Sequence, residues 1–166
     1  MENYIVINGK KAELTKEQLK ALGIVTEKEN PFVRCNYGDC YYSIGLNGDL
    51  ECIEETHDDV DLNLYNVANY CADVNIMQQR AWHETLNRLL WRYSMEHNGD
   101  EIDWSTTVTQ RKYNILRNDI EHKFEVSWIY NTRHIGTVYF ICQSVAESAI
   151  KEIIEPFMKA HPDFVW

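Results

Sequence analysis

Residues 51–62 read ECIEETHDDVDL, six carboxylates and one histidine in twelve residues with no basic side chain. Two chemistries use such a set. A hard divalent cation needs carboxylate oxygens converging from a fixed loop, and His57, Asp58, Asp59 and Asp61 offer donors. The calcium-loop spacing started at Asp59 places Asp61 at position 3 and Asn63 at position 5, but Leu64 stands where the obligatory glycine turns the chain. A two-metal nuclease would also use a nearby lysine, and none lies between Lys28 and Lys112. The second chemistry is imitation of a nucleic-acid backbone, in which the same carboxylates meet a Lys/Arg-lined groove on a protein; this needs only a fixed negative surface. A solvated connection between strands is the plain alternative.

Other catalytic patterns are thin. Neither GxSxG nor GxxxxGK[ST] occurs. Cys71 or Cys142 could pair with His83 or His134 only through the fold, and a buried thiol is far more often inert than reactive. The five cysteines include no CxxC pair, so they read as reduced thiols, mostly small core residues. Cys35, Cys40, Cys52 and His57 could supply four zinc ligands, but their spacing fits none of the paired patterns.

The charge is uneven. Of the net −10, residues 35–79 contribute nine acids and no Lys or Arg. Such a block repels nucleic acid and anionic membranes and favours a basic partner. No run approaches the ~20 apolar residues of a membrane span, and the N-terminus lacks a basic then apolar leader. The expectation is a cytoplasmic protein.

These residues must be held by regular elements. YIVI (4–7) is a short strand and Asn8-Gly9 a turn signal. Thr15 and Gln18 form a capping box for a two-turn helix with Leu19 and Leu22 as its apolar edge and Gly23 as its stop. The polar TEKENP (26–31) predicts a linker, giving an N-terminal β-turn-helix appendage over 1–30 and a main domain over 31–166. Within it, CYYSIGLNGDLECI predicts a hairpin about Asn47-Gly48, LYNVANY (64–70) a strand, and Asp73 the cap of a helix to about His97. Residues 112–130 predict two strands around Asn118-Asp119, IGTVYFI a third, and a final helix begins near Cys142. Pro156 should kink that helix, and the tail HPDFVW is apolar enough to pack back.

The two halves, 40–97 and 112–160, follow one order: strand, turn, strand, connection, strand ending in an aromatic, cap, helix. At an offset of 69 residues Tyr70 meets Tyr139, Asp73 meets Cys142 and Met77 meets Ala146. The predicted fold is α+β, an antiparallel sheet with helices on one face, with two ββ(β)α repeats as one way to build it. Tyr41 and Tyr42 are adjacent in a strand and must point to opposite faces. One of them should be exposed as an aromatic contact beside the acids.

The layout as a whole, YIVINGKKAELTKEQLKALGI, ENPF, the YY…NG hairpin, LYNVANY, IGTVYF and AIKEIIEPFMKAHPDFVW, resembles a family of small phage and prophage accessory proteins of clostridial-type Gram-positive bacteria. Cys71 and VNIMQQRA depart from its usual pattern at the first helix. The resemblance brings no catalytic residues to carry over. It implies an anti-defence role, such as inhibition of a restriction or CRISPR enzyme. The resulting expectation is a non-enzymatic protein without cofactor or metal that binds a basic host surface, such as that of a CRISPR nuclease, through Glu54, Glu55, Asp58, Asp59, Asp61, Tyr41 and Tyr42. A divalent-metal enzyme using residues 54–61 and a phage structural or regulatory protein remain the alternatives.

Overall fold

A computed structural model describes residues 4–7, 10–23, 30–105 and 110–166. The chain divides into two compact units, Met1–Val33 and Arg34–Trp166. In the first, β1 (Tyr4–Ile7) pairs antiparallel with β2 (Lys10–Glu13), and α1 (Lys16–Ala21) follows. The Asn8-Gly9 turn and most of the 26–31 linker lie outside the described residues. Thr15 N–H donates to Gln18 Oε1 at 2.9 Å and Gln18 N–H to Thr15 Oγ1 at 3.3 Å. This is a reciprocal cap that satisfies two otherwise orphaned helix donors. Leu19 is buried, whereas Leu22 is exposed, so the apolar edge is a single residue.

The second unit is α+β, as its alternating and helical periodicities require, but its strands form separate hairpins rather than one sheet. The first is β3 (Cys40–Ile44) with β4 (Leu50–Glu54). Its loop is one residue longer than an Asn-Gly two-residue turn. Gly45 N–H donates to Asp49 C=O, Gly48 N–H to Gly45 C=O, and Gly48 sits at φ +88°. That is a three-residue loop ending in a left-handed position, which a glycine occupies without a Cβ clash. The second hairpin joins β5 (Lys112–Asn118) and β6 (Lys123–Ile129). Its register pairs Tyr113 with Trp128, Ile115 with Val126 and Arg117 with Phe124, which places Tyr113, Ile115, Phe124, Val126 and Trp128 on one face.

The segment 64–70 is not a strand. α2 spans Asp59–Asn66. Its aromatic and β-branched residues favour a strand, but Asp58 overrides them. The Asp58 carboxylate accepts from Val60 N–H at 2.8 Å and Asp61 N–H at 3.0 Å, and the Asp61 carboxylate accepts from Asp58 N–H in return. α3 (Val74–His97) starts at Asp73, which accepts from Asn75 and Ile76, and buries Met77, Ala81, Leu86, Leu90 and Tyr93. Trp82 packs against the core while Trp91 is 60% exposed, since nine residues do not return to the same face.

The final helix is α4 (Gln143–Ala149), a π-helical turn (Ile150–Ile154) and α5 (Glu155–Ala160). Pro156 explains the π turn. It lacks the N–H that an α-helix would aim at Glu152, and the widened turn lets Glu155 N–H donate to Ile150 C=O instead. Ile154 and Phe157 stay buried on both sides of the irregularity. The tail returns as predicted: Phe164 is buried, and Trp166 packs against the core of Leu86, Leu90, Phe140, Ala146 and Ile154.

The two halves close in the same way. In each, one residue after the hairpin pairs with its first strand, Cys71 with Tyr42 and Phe140 with Tyr113. The cap follows two residues later, at Asp73 and Cys142. The preceding tyrosines also match: Tyr70 Oη accepts from Cys35 N–H and Tyr139 Oη from His134 N–H, each at 2.8 Å. The third strand of each half is thus reduced to a single bridging pair rather than the strand over 135–141 read from sequence.

Candidate functional site

Residues 34–73 hold a polar network under the first hairpin. Tyr41 and Tyr70 stack with ring centroids 3.9 Å apart and planes 17° apart. Tyr70 Oη donates to Glu55 Oε2 at 2.8 Å. Arg34 grips the same carboxylate through Nη2 to Oε1 at 2.8 Å and Nε to Oε2 at 3.2 Å, a bidentate fork. His57 N–H adds a bond to Oε1 at 2.9 Å. Tyr41 Oη donates to Asp61 Oδ1 at 2.7 Å, while Asp61 Oδ2 accepts from Thr56 N–H, Thr56 Oγ1 and Asp58 N–H. His57 takes the left-handed region at φ +60°, which a residue with a Cβ adopts only when surrounding bonds fix it. Here the Glu55 carboxylate bonded to its N–H does so.

This geometry corrects three of the expected contact residues. Glu55, Asp61 and Tyr41 are 0%, 2% and 0% exposed, so no partner can reach them. A buried carboxylate survives only when its oxygens are occupied, and these are. The two acids hold the loop; they do not line a surface. Tyr42 is half-buried rather than free, because its backbone pairs with Cys71 and its strand is internal to the hairpin and bridge. Glu54, Asp58 and Asp59 are exposed, as are Asp39, Asp49 and Glu51. Among the described residues none of these six carboxylates has an ion-pair partner. Tyr37, 69% exposed, stands edge-on to His57 at 5.8 Å, placing an aromatic beside Asp58 and Asp59 in the chain. It is an exposed tyrosine, as is Tyr65, and its position before the hairpin carries no periodicity by which to find it.

As a metal centre the stretch is poorly arranged. Among the described residues no three His, Cys, Asp or Glu side chains converge as ligands. Cys71 is buried, while Cys40 and Cys52 are exposed, which corrects their reading as core residues. A cleft of about 260 Å³ between α3 and residues 136–140 is lined by Leu86, Leu90, Ile115, Val138, Phe140 and Trp166 together with the polar side chains of His83, Asn87 and Thr137.

The network sets a pH dependence. Arg34 first, then Tyr70 and the His57 amide, hold the Glu55 carboxyl below its ordinary value, against the effect of burial. Burial would raise Asp61, but the bonds from Tyr41, Thr56 and Asp58 outweigh it and lower it. Both groups therefore contribute stability that is present above the unfolded carboxyl values near pH ~4 and is lost as pH falls below them. Burial first, and then Asp61 for Tyr41 and Cys35 for Tyr70, push both phenols up. Their contribution is present below pH ~10 and lost above it. Melting temperature followed from pH 2 to 11 is expected to show a plateau that drops at both ends, with the acid limb flattened in Glu55→Gln. An unchanged acid limb in that variant would contradict the assignment.

The site defines an α+β unit in which six exposed carboxylates fall in a segment without Lys or Arg, bordered by the partly exposed Arg34. No protein-family model, curated protein or solved structure matches the chain. Among the described residues no helix is long and apolar enough to cross a membrane.

Proposed function

We propose that the protein is a non-enzymatic binding protein that docks its exposed acidic residues on a basic protein surface. The observation that carries this reading is the set of six exposed carboxylates, Asp39, Asp49, Glu51, Glu54, Asp58 and Asp59, in a segment without Lys or Arg. The buried Glu55 and Asp61 support it by fixing the loop that presents Asp58 and Asp59. A preorganised acidic surface steers a basic partner and loses less entropy on docking than a mobile one. The resemblance to prophage accessory proteins directs the partner class to a host nucleic-acid-handling defence enzyme, with the acids occupying a groove meant for phosphates.

The test is a triple variant, Glu54→Gln, Asp58→Asn and Asp59→Asn, in which the amide introduced at position 58 retains capping ability. Both proteins are titrated against a panel of purified guide-loaded CRISPR nucleases and restriction enzymes in a salt series. Association of the parent chain should fall steeply with salt, and the variant should associate roughly tenfold more slowly at low salt. Binding to no member of the panel, or equal binding by the variant, would refute the proposal.

A further inference from the structure

We propose that Cys40 and Cys52 form a reversible dithiol–disulfide pair on the open face of the first hairpin, oxidised by small disulfides of the glutathione class. The inference is independent of the acidic surface's partner. Both thiols are exposed. The register pairs Cys40 with Glu54 and Tyr42 with Cys52, so the two cysteines are diagonal neighbours on one face. The hydrogen bonds fix which pairs are close. Gly45 N–H donates to Asp49 C=O and Glu55 N–H to Asp39 C=O, so the hydrogen-bonded pairs are 39/55, 41/53, 43/51 and 45/49. Cys40 and Cys52 therefore both belong to non-hydrogen-bonded pairs, where side chains approach most closely. The right-handed twist of a two-stranded ribbon brings one diagonal of such pairs together.

Diagonal Cα atoms stand about 7 Å apart, at the upper edge of the ~4.4–6.8 Å that a disulfide spans. Closure thus asks for a small increase in twist. β4 can supply it, because it pairs with β3 alone in its sheet. A bond closed under strain is readily reduced, which suits a reversible pair rather than a permanent staple. Cys40 is held protonated first by a hydrogen bond with the Cys52 thiol and then by the charges of Glu54 and Asp39. Either thiol can open the exchange, and both orders end in the same bond.

The chemistry balances in two exchanges. In the order that starts at Cys52, its thiolate attacks one sulfur of glutathione disulfide, a protein–glutathione S–S bond forms, and one glutathione thiolate leaves. The Cys40 thiolate then attacks Cys52 Sγ, the Cys40–Cys52 bond forms, and the second glutathione leaves. Two electrons pass to the glutathione disulfide, and the two protons from the cysteines end on the two glutathiones.

The full chain is incubated natively with glutathione disulfide, quenched in acid, alkylated under denaturing conditions and mapped by peptide mass spectrometry. Two of the five thiols should disappear from the alkylated pool as one intramolecular Cys40–Cys52 linked peptide, and excess reduced glutathione should restore them. In Cys40→Ser, Cys52 should stop at the mixed disulfide with glutathione. Three results overturn the proposal: a stable Cys40 or Cys52 mixed disulfide in the parent chain, a bond from Cys40 to Cys35, whose thiol lies 3.7 Å from the Cys40 carbonyl, or disulfide-linked dimers.

Discussion

Glu55→Ala is expected to destabilise the second unit by about 3 kcal/mol, the low end of the range for opening a buried ion pair, since Arg34 keeps some contact with water. The carboxylate is the shared acceptor for Arg34, Tyr70 and the His57 amide. Its removal leaves a guanidinium, a buried hydroxyl and a backbone donor without that partner, and it releases the tie that holds His57 in its left-handed conformation. Glu55→Gln should fall between the parent and Glu55→Ala, because an amide oxygen replaces one acceptor but carries no charge. Pairing Arg34→Met with Glu55→Leu should recover the part of the loss that comes from the unpaired guanidinium, while the Tyr70 hydroxyl and the His57 amide still lack their acceptor. Urea unfolding at pH 7 on the four proteins, with the single variants Arg34→Met and Glu55→Leu completing the cycle, measures the coupling. A cost for Glu55→Ala within about 0.5 kcal/mol of zero would mean that the network is ornamental.

That network could not have been read from the sequence, although much around it could. Asp73, the two hairpins and the final helix each carry local signals: a cap, a turn, a 3.6-residue stripe. Local signals act over a few residues, and those elements depend on little more. Glu55 looks like its neighbours Glu54 and Asp58 until Arg34, 21 residues earlier, and Tyr70, 15 residues later, arrive beside it. Which two of the six clustered acids turn inward is decided by distant partners, these for Glu55 and Tyr41 for Asp61. α2 is a different kind of miss. Asp58 and Asp61 stand at capping-box spacing, but the β-forming composition of LYNVANY points the other way, and the cap wins. Pro156 is an anomaly in the sequence as in the fold; the π turn that absorbs it depends on packing at Ile154 and Phe157, which no pattern states.

The matched closures of the two halves make the largest expected core effect informative. Phe140 and Cys71 occupy the same position, each in a bridging pair with the first strand of its hairpin and each buried. The surroundings differ. Cys71 sits beside the tyrosine–carboxylate network, where hydrogen bonds hold the hairpin to its loop. Phe140 belongs to the core formed by Leu86, Leu90, Ala146 and Ile154, where its side chain contributes apolar packing beside the polar ties that Asn98 makes to Tyr139 C=O and Ile141 N–H. Phe140→Ala should therefore cost about 3–5 kcal/mol, through lost burial and an unfilled cavity. The void would open into the cleft that Phe140 already lines with Leu90 and Trp166, so water could enter and the upper end of the range applies only if the site stays closed. The backbone bonds between Tyr113 and Phe140, at 2.9 and 2.8 Å, do not depend on the side chain and should persist. Cys71→Ala removes one sulfur and should cost only about 1 kcal/mol. Urea unfolding of both variants tests the contrast. Equal costs would show that the two halves are stabilised alike, against the division into a polar-locked first half and a more apolar second half.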